Sequence, residues 1–307
     1  MKGKVNVRNV VGSALKLASA VCLCQVVAAK AQSVDLGAAG DFAILETGAG
    51  ALNANVSLAA APPNGLINGN IGLAGSGNLS DSGVPINGNV YLGAGAGSSG
   101  LSGNVSGSVS QNFDFSAAIS AAVNAEAQAA ALSASGGGAG YSTIDERNNV
   151  TLNLTPGVYD LSDFELKNGD IVNLAAGGSY VFNISGTLSL NSAEILAAEG
   201  LSDSDILFNV EGSHGVSFSG GLHHESVLDG TILAENASVS VTPGEVNGEI
   251  ISGENINIAS GGSVNSGGPA SSVPETAPTW LLLALGMVAI LAPATKARSG
   301  ISKLNAV

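Results

Sequence analysis

The stretch INGNIGL at residues 67–73 decides the fold of this chain, because it returns as INGNVYL at residues 86–92. A degenerate copy, LSGNV, follows at residues 101–105, and an echo, VNGEI, lies at residues 246–250. The first three copies follow one another at intervals close to the length of one solenoid coil. An Asn-Gly turn that leads into an alternating strand at such a period is typical of a β-solenoid.

From Thr151 onward, short runs of alternating apolar and polar residues follow one another, separated by Gly, Asn and Ser. Strands this short and evenly spaced fit either a β-sandwich or a solenoid. The segments GTILA at residues 230–234 and GEIIS at residues 248–252 look like one strand in successive coils. They favour the solenoid, and we predict a mainly β domain over residues 32–265.

The Ala-rich segment at about residues 115–134 interrupts the β pattern and predicts one long helix. The triplet GGG at residues 136–138 marks its end. Phe115, Ile119 and Val123 recur every four residues, which places them on one side of that helix. We therefore predict that the helix packs along another surface of the domain through these three side chains.

The charge distribution excludes nucleic acid as a partner. The chain has 10 Lys and Arg against 24 Asp and Glu, a net charge of −14. Between Gln32 and Ser272 the only basic residues are Arg147 and Lys167, whereas every acidic residue except Glu275 lies in this segment. Neutralising phosphates requires clusters of Lys and Arg. Strong negative charge mainly keeps a folded domain soluble.

The N-terminal segment, 1–31, has the pattern of a secretory signal peptide. A basic start leads into an apolar stretch, and Ala29 and Ala31 supply the small residues that signal peptidase reads. We predict cleavage after Ala31. Cys22 and Cys24 are the only cysteines and lie in the segment to be removed, so the mature protein has no disulfide.

The C-terminal residues have the pattern of a second targeting signal. Val273, Pro274 and Glu275 precede an apolar run at residues 280–292, and Arg298 lies in the basic end that follows. The apolar run is shorter than the roughly 20 residues that a comfortable membrane span needs. This order of motif, apolar run and basic end therefore favours a processing signal.

The arrangement resembles the PEP-CTERM sorting signal of Gram-negative bacteria, although Thr276 stands where that signal usually has a second proline. The resemblance implies transient insertion of the tail into the inner membrane and recognition by an exosortase. Removal of the tail would then deliver the protein to the cell surface or to an exopolysaccharide matrix. The basic end would stay cytoplasmic. An uncleaved single-pass anchor is the alternative.

These observations predict an order of segments along the chain. It comprises a signal peptide at 1–31, a β-solenoid domain at 32–265, a linker with the sorting motif at 266–279, a hydrophobic helix at 280–294 and a basic tail at 295–307.

The domain itself resembles a known family in three places. These are LGAAGDFAIL at residues 36–45, LTPGVY at 154–159 and DGTILA at 229–234. Together with the helix, they resemble the ice-binding-like family, which implies a right-handed, discontinuous β-solenoid with a long helix packed alongside. The part from ILFN at 206–209 through NGEII at 247–251 also resembles the "choice-of-anchor A" surface domains, which are adhesin-like. Both resemblances imply a surface β-solenoid.

The histidines do not form a convincing metal site. His214, His223 and His224 are the only three, and adjacent residues on a strand point to opposite sides. Their spacing matches no zinc motif, so a solvated turn is the favoured interpretation of HHE at residues 223–225.

Acidic residues are the second candidate for ion binding. Asp160, Asp163, Glu165 and Asp170 lie close together in the sequence, as do Asp203 and Asp205. Calcium would need six to eight oxygen ligands, and neither group fits a known calcium loop. We favour solvated charge over a calcium cofactor.

The sequence contains neither of two motifs that mark common enzyme active sites, the nucleophile elbow and the phosphate loop. We predict that the protein is not an enzyme.

Alternating serines mark a candidate ligand face. Ser217 and Ser219 lie in one predicted strand, and Ser238 and Ser240 lie in another. The same alternation is also common in any half-exposed strand. We therefore predict first a structural or adhesive protein of the cell surface or exopolysaccharide matrix. The alternative is an extracellular ice-binding protein that uses the Ser- and Ala-rich face.

Overall fold

The computed structural model describes residues 33–59, 65–220 and 225–267. Within these residues the chain winds into coils, and the short strands of each coil belong to three separate sheets. Every strand pairing is parallel except the one between β10 and β13, the strands at Ser135–Gly136 and Gly157–Leu161. The expected mainly β solenoid is confirmed. No helix in the described part of the chain is long and apolar enough to cross a membrane.

Sheet 1 has ten strands in the described residues, and one of its sides is covered by a helix. The strands, numbered along the chain, are β1 Ile44–Glu46, β4 Ile71–Leu73, β7 Val90–Leu92, β9 Val109–Gln111, β10 Ser135–Gly136, β13 Gly157–Leu161, β16 Tyr180–Ile184, β19 Ile206–Val210, β22 Thr231–Ala234 and β25 Ile250–Ser252.

Sheets 2 and 3 form the other two sides. Their strands alternate buried and partly exposed residues, because one side faces the interior and the other faces solvent. Sheet 2 consists of β2 Val56–Ala59, β5 Asn78–Asp81, β8 Gly97–Ser99, β11 Ile144–Arg147, β14 Phe164–Lys167, β17 Leu188–Asn191, β20 Val216–Ser219, β23 Val239–Thr242 and β26 Ile256–Ala259. Sheet 3 consists of β3 Ile67–Asn68, β6 Ile86–Asn87, β12 Thr151–Leu154, β15 Ile171–Leu174, β18 Glu194–Ala197, β21 Ser226–Asp229, β24 Gly244–Asn247 and β27 Ser263–Asn265. Short 3-10 helices lie at Gly37–Asp41, Gly137–Gly140 and Asp203–Asp205.

The order of coils in space differs from their order in sequence. The coils that start with β1 extend to β9 at one end, and the chain then crosses to the other end. The later coils return until β25, β26 and β27 pair with β1, β2 and β3. We call this junction the seam. At the seam Ile44 pairs with Ile250 and Val56 pairs with Ile256. The solenoid is therefore discontinuous, as the resemblance implied.

The repeated Asn-Gly motif forms the corner between sheet 3 and sheet 1. In the first copy β3 ends at Asn68 and β4 begins at Ile71. Gly69 and Gly248 occupy this corner with φ of 129° and 149°, a region that favours glycine. A side chain at Gly88 would lie 2.1 Å from the carbonyl oxygen of Gly69. The corners thus stack too closely for any other residue.

The helix α1 spans Ser116–Ala130 and ends four residues before the predicted limit of the 115–134 segment. The predicted stripe is wrong at Val123, which is 44% exposed. Small side chains allow the helix backbone to lie close to sheet 1, so alanines form the contact instead of larger residues. The buried helix residues are Ala118, Ala122, Ala125 and Ala129.

Large aromatic rings fill the middle of the solenoid interior. The rings of Tyr159 and Phe182 stack with centroids 4.8 Å apart, and those of Phe182 and Phe208 stack at 4.7 Å. All three side chains are fully buried. Successive coils place one ring above the next, so the interior is continuous along this part of the solenoid axis.

Three carboxyl groups are buried at or beside the seam. Glu46 ends β1, Glu235 follows β22 and Glu249 precedes β25. Their side chains lie at 0%, 2% and 6% exposure. Burial raises the pKa of each of the three to about 7 from the ordinary value of 4.5.

Candidate binding face

The three sides of the solenoid differ in what covers them. Sheet 1 is packed against α1 and against the segment around Phe42, which bury the outer apolar side chains of its central strands. The outer side chains of sheets 2 and 3 keep partial exposure along the described strands. Sheets 2 and 3 therefore offer the two candidate faces.

Sheet 2 presents a row of small polar side chains. Ser217 of β20 pairs with Ser189 of β17 and with Ser240 of β23. The row continues across the seam, because Asn257 of β26 pairs with Ser57 of β2. Neighbouring strands in a sheet lie about 4.7–4.9 Å apart, so the row has a constant spacing. In order, the row is Ser189, Ser217, Ser240, Asn257, Ser57 and Ser80.

A second row runs parallel to the first, two residues further along each strand. Ser219 pairs with Asn191 on one side and with Thr242 on the other. Alanines continue this row across the seam, where Ala59 pairs with Ala259. We call the outward side chains of β17, β20, β23, β26, β2 and β5 the hydroxyl face.

The structure brings the predicted residues Ser217, Ser219 and Ser240 onto this face. Ser238, one residue before β23, is exposed and lies on the same side by alternation. The sequence analysis missed other members of the two rows because they come from coils far apart in the chain. Each of the missed serines lies in an apolar-Ser-apolar or apolar-Ser-Asp context that could have identified it; they are Ser57, Ser80 and Ser189.

The hydroxyl groups of the face hydrogen-bond loosely to one another. Ser217 Oγ donates to Ser189 Oγ at 3.3 Å, and the hydroxyls of Ser240 and Thr242 lie 3.1 Å apart. Asn257 Nδ2 donates to Ser240 Oγ at 3.5 Å. Each hydroxyl has one donor and two acceptor sites, so these contacts leave capacity for an external partner.

One end of the face is charged. Arg147 Nη2 lies 3.0 Å from Asp145 Oδ2 in β11, and Lys167 pairs with Glu165 in the adjacent β14. The hydrogen bond from the Arg147 guanidinium lowers the pKa of the Asp145 carboxyl, and the same contact raises the pKa of Arg147. Both basic residues of the domain thus lie beside the hydroxyl rows, each already paired.

Sheet 3 has a different surface, a ladder of asparagines. Asn247 Nδ2 donates to Asp229 Oδ1 at 2.9 Å, and Asn265 Nδ2 donates to Asn247 Oδ1 at 3.3 Å. Asn68 and Asn87 extend the chain of amide contacts at 3.3 Å and 3.0 Å. Such ladders stabilise stacked strands, and here the amides satisfy one another. Sheet 3 is thus a poorer candidate face than sheet 2.

The side chains considered as candidates for ion binding do not converge in the described residues. His214 lies in an exposed turn between β19 and β20, whereas His223 and His224 lie outside the described residues. Asp163 Oδ1 accepts from Thr187 N at 3.1 Å, and Asp170 accepts from two backbone N–H groups. Among the described side chains, no group of three His, Cys, Asp or Glu is placed to hold a metal ion.

The predicted signal-cleavage and sorting residues all lie outside the described ranges; they are Ala29, Ala31, Val273, Pro274, Glu275 and Arg298.

The described residues thus form a three-sided, discontinuous parallel solenoid with a helix along one side and a row of hydroxyl groups on sheet 2. The family model described as an ice-binding-like adhesive domain matches residues 31–269. The chain belongs to this family, and the predicted resemblance of the domain to the ice-binding-like family is confirmed. No curated protein matches the sequence.

Solved structures of similar fold include three ice-binding proteins. The protein from the Antarctic ascomycete Antarctomyces psychrotrophicus is 23% identical with a TM-score of 0.51, over 76% of this chain and 98% of that one. A glycosylated protein from an Arctic yeast is 20% identical with a TM-score of 0.51, over 80% and 98%. A protein from an Antarctic Flavobacteriaceae bacterium is 21% identical with a TM-score of 0.55, over 80% and 50%. At this identity the likeness supports the fold.

Proposed function

We propose that this protein is a non-enzymatic adhesive protein that binds a repeating polar surface through the hydroxyl face. The observation that carries the proposal is the unbroken row from Ser189 to Ser80, which crosses the seam without a change of spacing. A periodic array of short polar groups matches a periodic ligand, such as the polysaccharide of an extracellular matrix. Many weak contacts along such a ligand combine into strong adhesion.

Ice is the second candidate ligand. The hydroxyl face is regular, and its second row consists of small side chains such as Ser219, Thr242 and Ala259. The solved structures of similar fold include ice-binding proteins, and the family description names both ice binding and adhesion. Ice and polysaccharide both present regular arrays of oxygen atoms, so one face serves either ligand.

The proposed export route is based on the predicted signal peptide and the predicted C-terminal sorting signal. Signal peptidase would remove residues 1–31, and an exosortase of a Gram-negative cell would act at the sorting motif in 266–279. The hydrophobic helix at 280–294 and basic tail at 295–307 would hold the chain in the inner membrane only transiently. The mature protein would then lie at the cell surface or in the extracellular matrix.

We also infer a right-handed winding of the coils, which parallel crossovers adopt almost without exception.

The hydroxyl face is tested by placing bulky residues on it. In the double variant Ser217→Tyr/Ser240→Tyr, two rings would stand above the row and separate it from any flat ligand. We expect adhesion to insoluble polysaccharide, or ice recrystallisation inhibition if ice is the ligand, to fall at least about tenfold, which is about 1.4 kcal/mol. Both assays should use the same protein samples with unchanged circular dichroism.

The matched control is Thr151→Tyr, which places the same ring on an exposed position of sheet 3. It should retain full activity. Equal loss in both variants would indicate a general effect of added tyrosines. Full activity of the Ser217→Tyr/Ser240→Tyr protein would reject the hydroxyl face as the binding surface.

The sorting motif makes a separate prediction. Replacing Val273, Pro274 and Glu275 with alanine should leave the chain in the inner membrane fraction, because the exosortase would no longer recognise the tail. Intact mass measurement of the released wild-type protein should show an N-terminus after Ala31 and loss of the segment 280–294. Release of the triple alanine variant in normal amounts would contradict exosortase processing.

A further inference from the structure

A small pocket opens at the junction of α1, the 3-10 helix at Gly37–Asp41 and the outer side of sheet 1. Its volume is about 250 Å³, and its lining combines aromatic rings with carboxylates. This pocket lies on a different side of the solenoid from the hydroxyl face. Its principal lining residues are Asp41, Phe42, Asn70, Tyr91, Phe113 and Asp114.

Four aromatic side chains cluster at this pocket, outside the solenoid interior. Phe42 and Phe115 are 4% exposed and contact each other at a centroid distance of 5.7 Å. Both rest over Gly72, where an added Cβ would lie 2.7 Å from the Phe115 ring and 3.0 Å from the Phe42 ring. These two rings therefore close the gap between sheet 1 and the start of α1, and packing alone explains them.

Packing does not explain the other two rings. Phe113 is 39% exposed, and Tyr91 beside it is partly exposed, with ring centroids 4.6 Å apart. Exposed apolar surface of this kind is typical of binding sites when polar groups surround it. Phe113 is the only aromatic among the large hydrophobic side chains exposed in the described residues, and with Tyr91 it forms a local aromatic platform.

The polar groups around the platform carry negative charge. Asp41 and Asp114 are both exposed at the pocket. The Asp114 carboxylate accepts from Ser116 N at 3.0 Å, and this hydrogen bond lowers the pKa of Asp114. The only Lys and Arg residues that the structure describes are Arg147 and Lys167, which are paired at the charged end of sheet 2. The pocket therefore favours a cation.

We propose that this pocket binds a protonated amino-sugar residue of a polysaccharide, with the sugar ring against Phe113 and Tyr91 and the ammonium group toward Asp41 and Asp114. An aromatic ring supplies a broad apolar surface for the C–H groups of a sugar ring, and a carboxylate pairs with an ammonium directly. Pockets for drug-sized ligands begin at about 300 Å³. The cavity here is smaller, which suits a single sugar ring. The choice of a polysaccharide as the carrier rests on the proposed adhesive function.

The test titrates the full-length protein with two soluble hexamers in a calorimeter. One is the hexamer of glucosamine, held at a pH where its amines are protonated, and the other is the neutral hexamer of N-acetylglucosamine. We expect the glucosamine hexamer to bind at least about tenfold more tightly, and its affinity to fall with added salt. Absence of binding, or equal binding of both hexamers, would overturn the proposal.

Variants locate the binding to the pocket. Phe113→Leu keeps apolar bulk but removes the ring, and Asp114→Asn keeps a side chain that still accepts from Ser116 N. We expect each to weaken binding of the glucosamine hexamer by about three- to tenfold. The control is Leu52→Ala, which removes a 75% exposed apolar side chain outside the pocket lining and should change nothing.

Two further arms separate this site from its alternatives. A loss of hexamer binding in Phe113→Leu supports the pocket whatever the Ser217→Tyr/Ser240→Tyr variant shows in the adhesion assay, so failure of the hydroxyl face leaves the pocket testable. A lysine hexamer serves as a peptide carrier of the same ammonium group. Binding of that peptide as tight as the glucosamine hexamer would overturn the assignment to an amino sugar, as would unchanged binding by Phe113→Leu.

Discussion

Replacing Phe182 with alanine is expected to lower the free energy of unfolding by about 3–5 kcal/mol. The Phe182 ring is fully buried and lies between Tyr159 at 4.8 Å and Phe208 at 4.7 Å. Its removal would leave a cavity in the solenoid interior and end both stacking contacts. Urea unfolding of the full chain, followed by circular dichroism at neutral pH, measures the change.

The effect should reach beyond one coil. In a solenoid each coil contacts mainly its neighbours, so a gap at Phe182 also weakens the coils that contain Tyr159 and Phe208. Phe182→Leu should cost less, because it fills part of the volume. Val123→Ala removes a 44% exposed side chain from α1 and should stay within about 0.5 kcal/mol of the wild type. Similar stability of Phe182→Ala and Val123→Ala would show that the aromatic stack does not stabilise the fold.

Local turn chemistry explains why the coil architecture could be predicted from the sequence. An Asn-Gly pair encodes its corner within a few residues, as at Asn68 and Gly69, whatever the rest of the chain does. The helix was also predictable, because Ala-rich segments strongly favour helix. Its contact side was not, since sheet 1 selects alanines for close approach and leaves the larger Val123 exposed.

The hydroxyl face could be predicted only in part. Ser217 and Ser240 lie in consecutive coils, and their alternation is visible in the sequence. Ser57 joins the same row only because β2 pairs with β26, a strand near the opposite end of the domain sequence. The coils differ in length, and no repeat in the sequence predicts which strands pair with each other across the seam. The pairing of the first coil with the last coil is a property of the folded chain.

The burial of the three carboxyl groups could not be predicted from the sequence for a related reason. A glutamate at the end of a short strand, such as Glu46, ordinarily lies in solvent. Glu46 is buried because later coils close over it at the seam. Its Oε2 accepts from Gly75 N at 2.9 Å, while Oε1 of Glu46 and Oε1 of Glu235 have no hydrogen-bond partner among the described residues.

The seam makes stability depend on pH, and we expect the protein to be more stable at pH 5 than at pH 8. The pKa of Glu46, Glu235 and Glu249 is about 7 when folded, against an ordinary value of 4.5. Between these values the folded chain holds protons that the unfolded chain has lost. This stabilisation is complete below about pH 4.5 and is lost as the pH rises through 7.

The charged groups that face these carboxyls also raise their pKa. Burial is the main cause of each raised pKa, and the negative charge of a neighbour adds to it: Glu235 for Glu46, Glu126 of α1 for Glu235, and Asp203 for Glu249. Ionising two neighbouring carboxyl groups in a buried site costs more free energy than ionising one of them. Thr47 Oγ1 donates to Glu235 Oε2 at 2.8 Å, and Thr231 donates to Glu249; these contacts only moderate the effect.

Each carboxyl contributes on the order of 1–3 kcal/mol to the difference between the two pH values. Since about 1 kcal/mol moves Tm by about 2–4 °C in a domain of roughly this size, we expect Tm to be at least about 5 °C higher at pH 5. Glu46→Gln should raise Tm at pH 8, where the wild type must bury a charge, and change it little at pH 5.

Differential scanning calorimetry of the single Gln variants at Glu46, Glu235 and Glu249 tests this account. Glu199→Gln, on an exposed turn, is the matched control and should not alter the difference in Tm between pH 5 and pH 8. General repulsion within an acidic chain also weakens at low pH, but it would respond equally to all four substitutions. A larger response at the three buried positions therefore assigns the pH dependence to the seam, whereas equal responses at all four would reject that assignment.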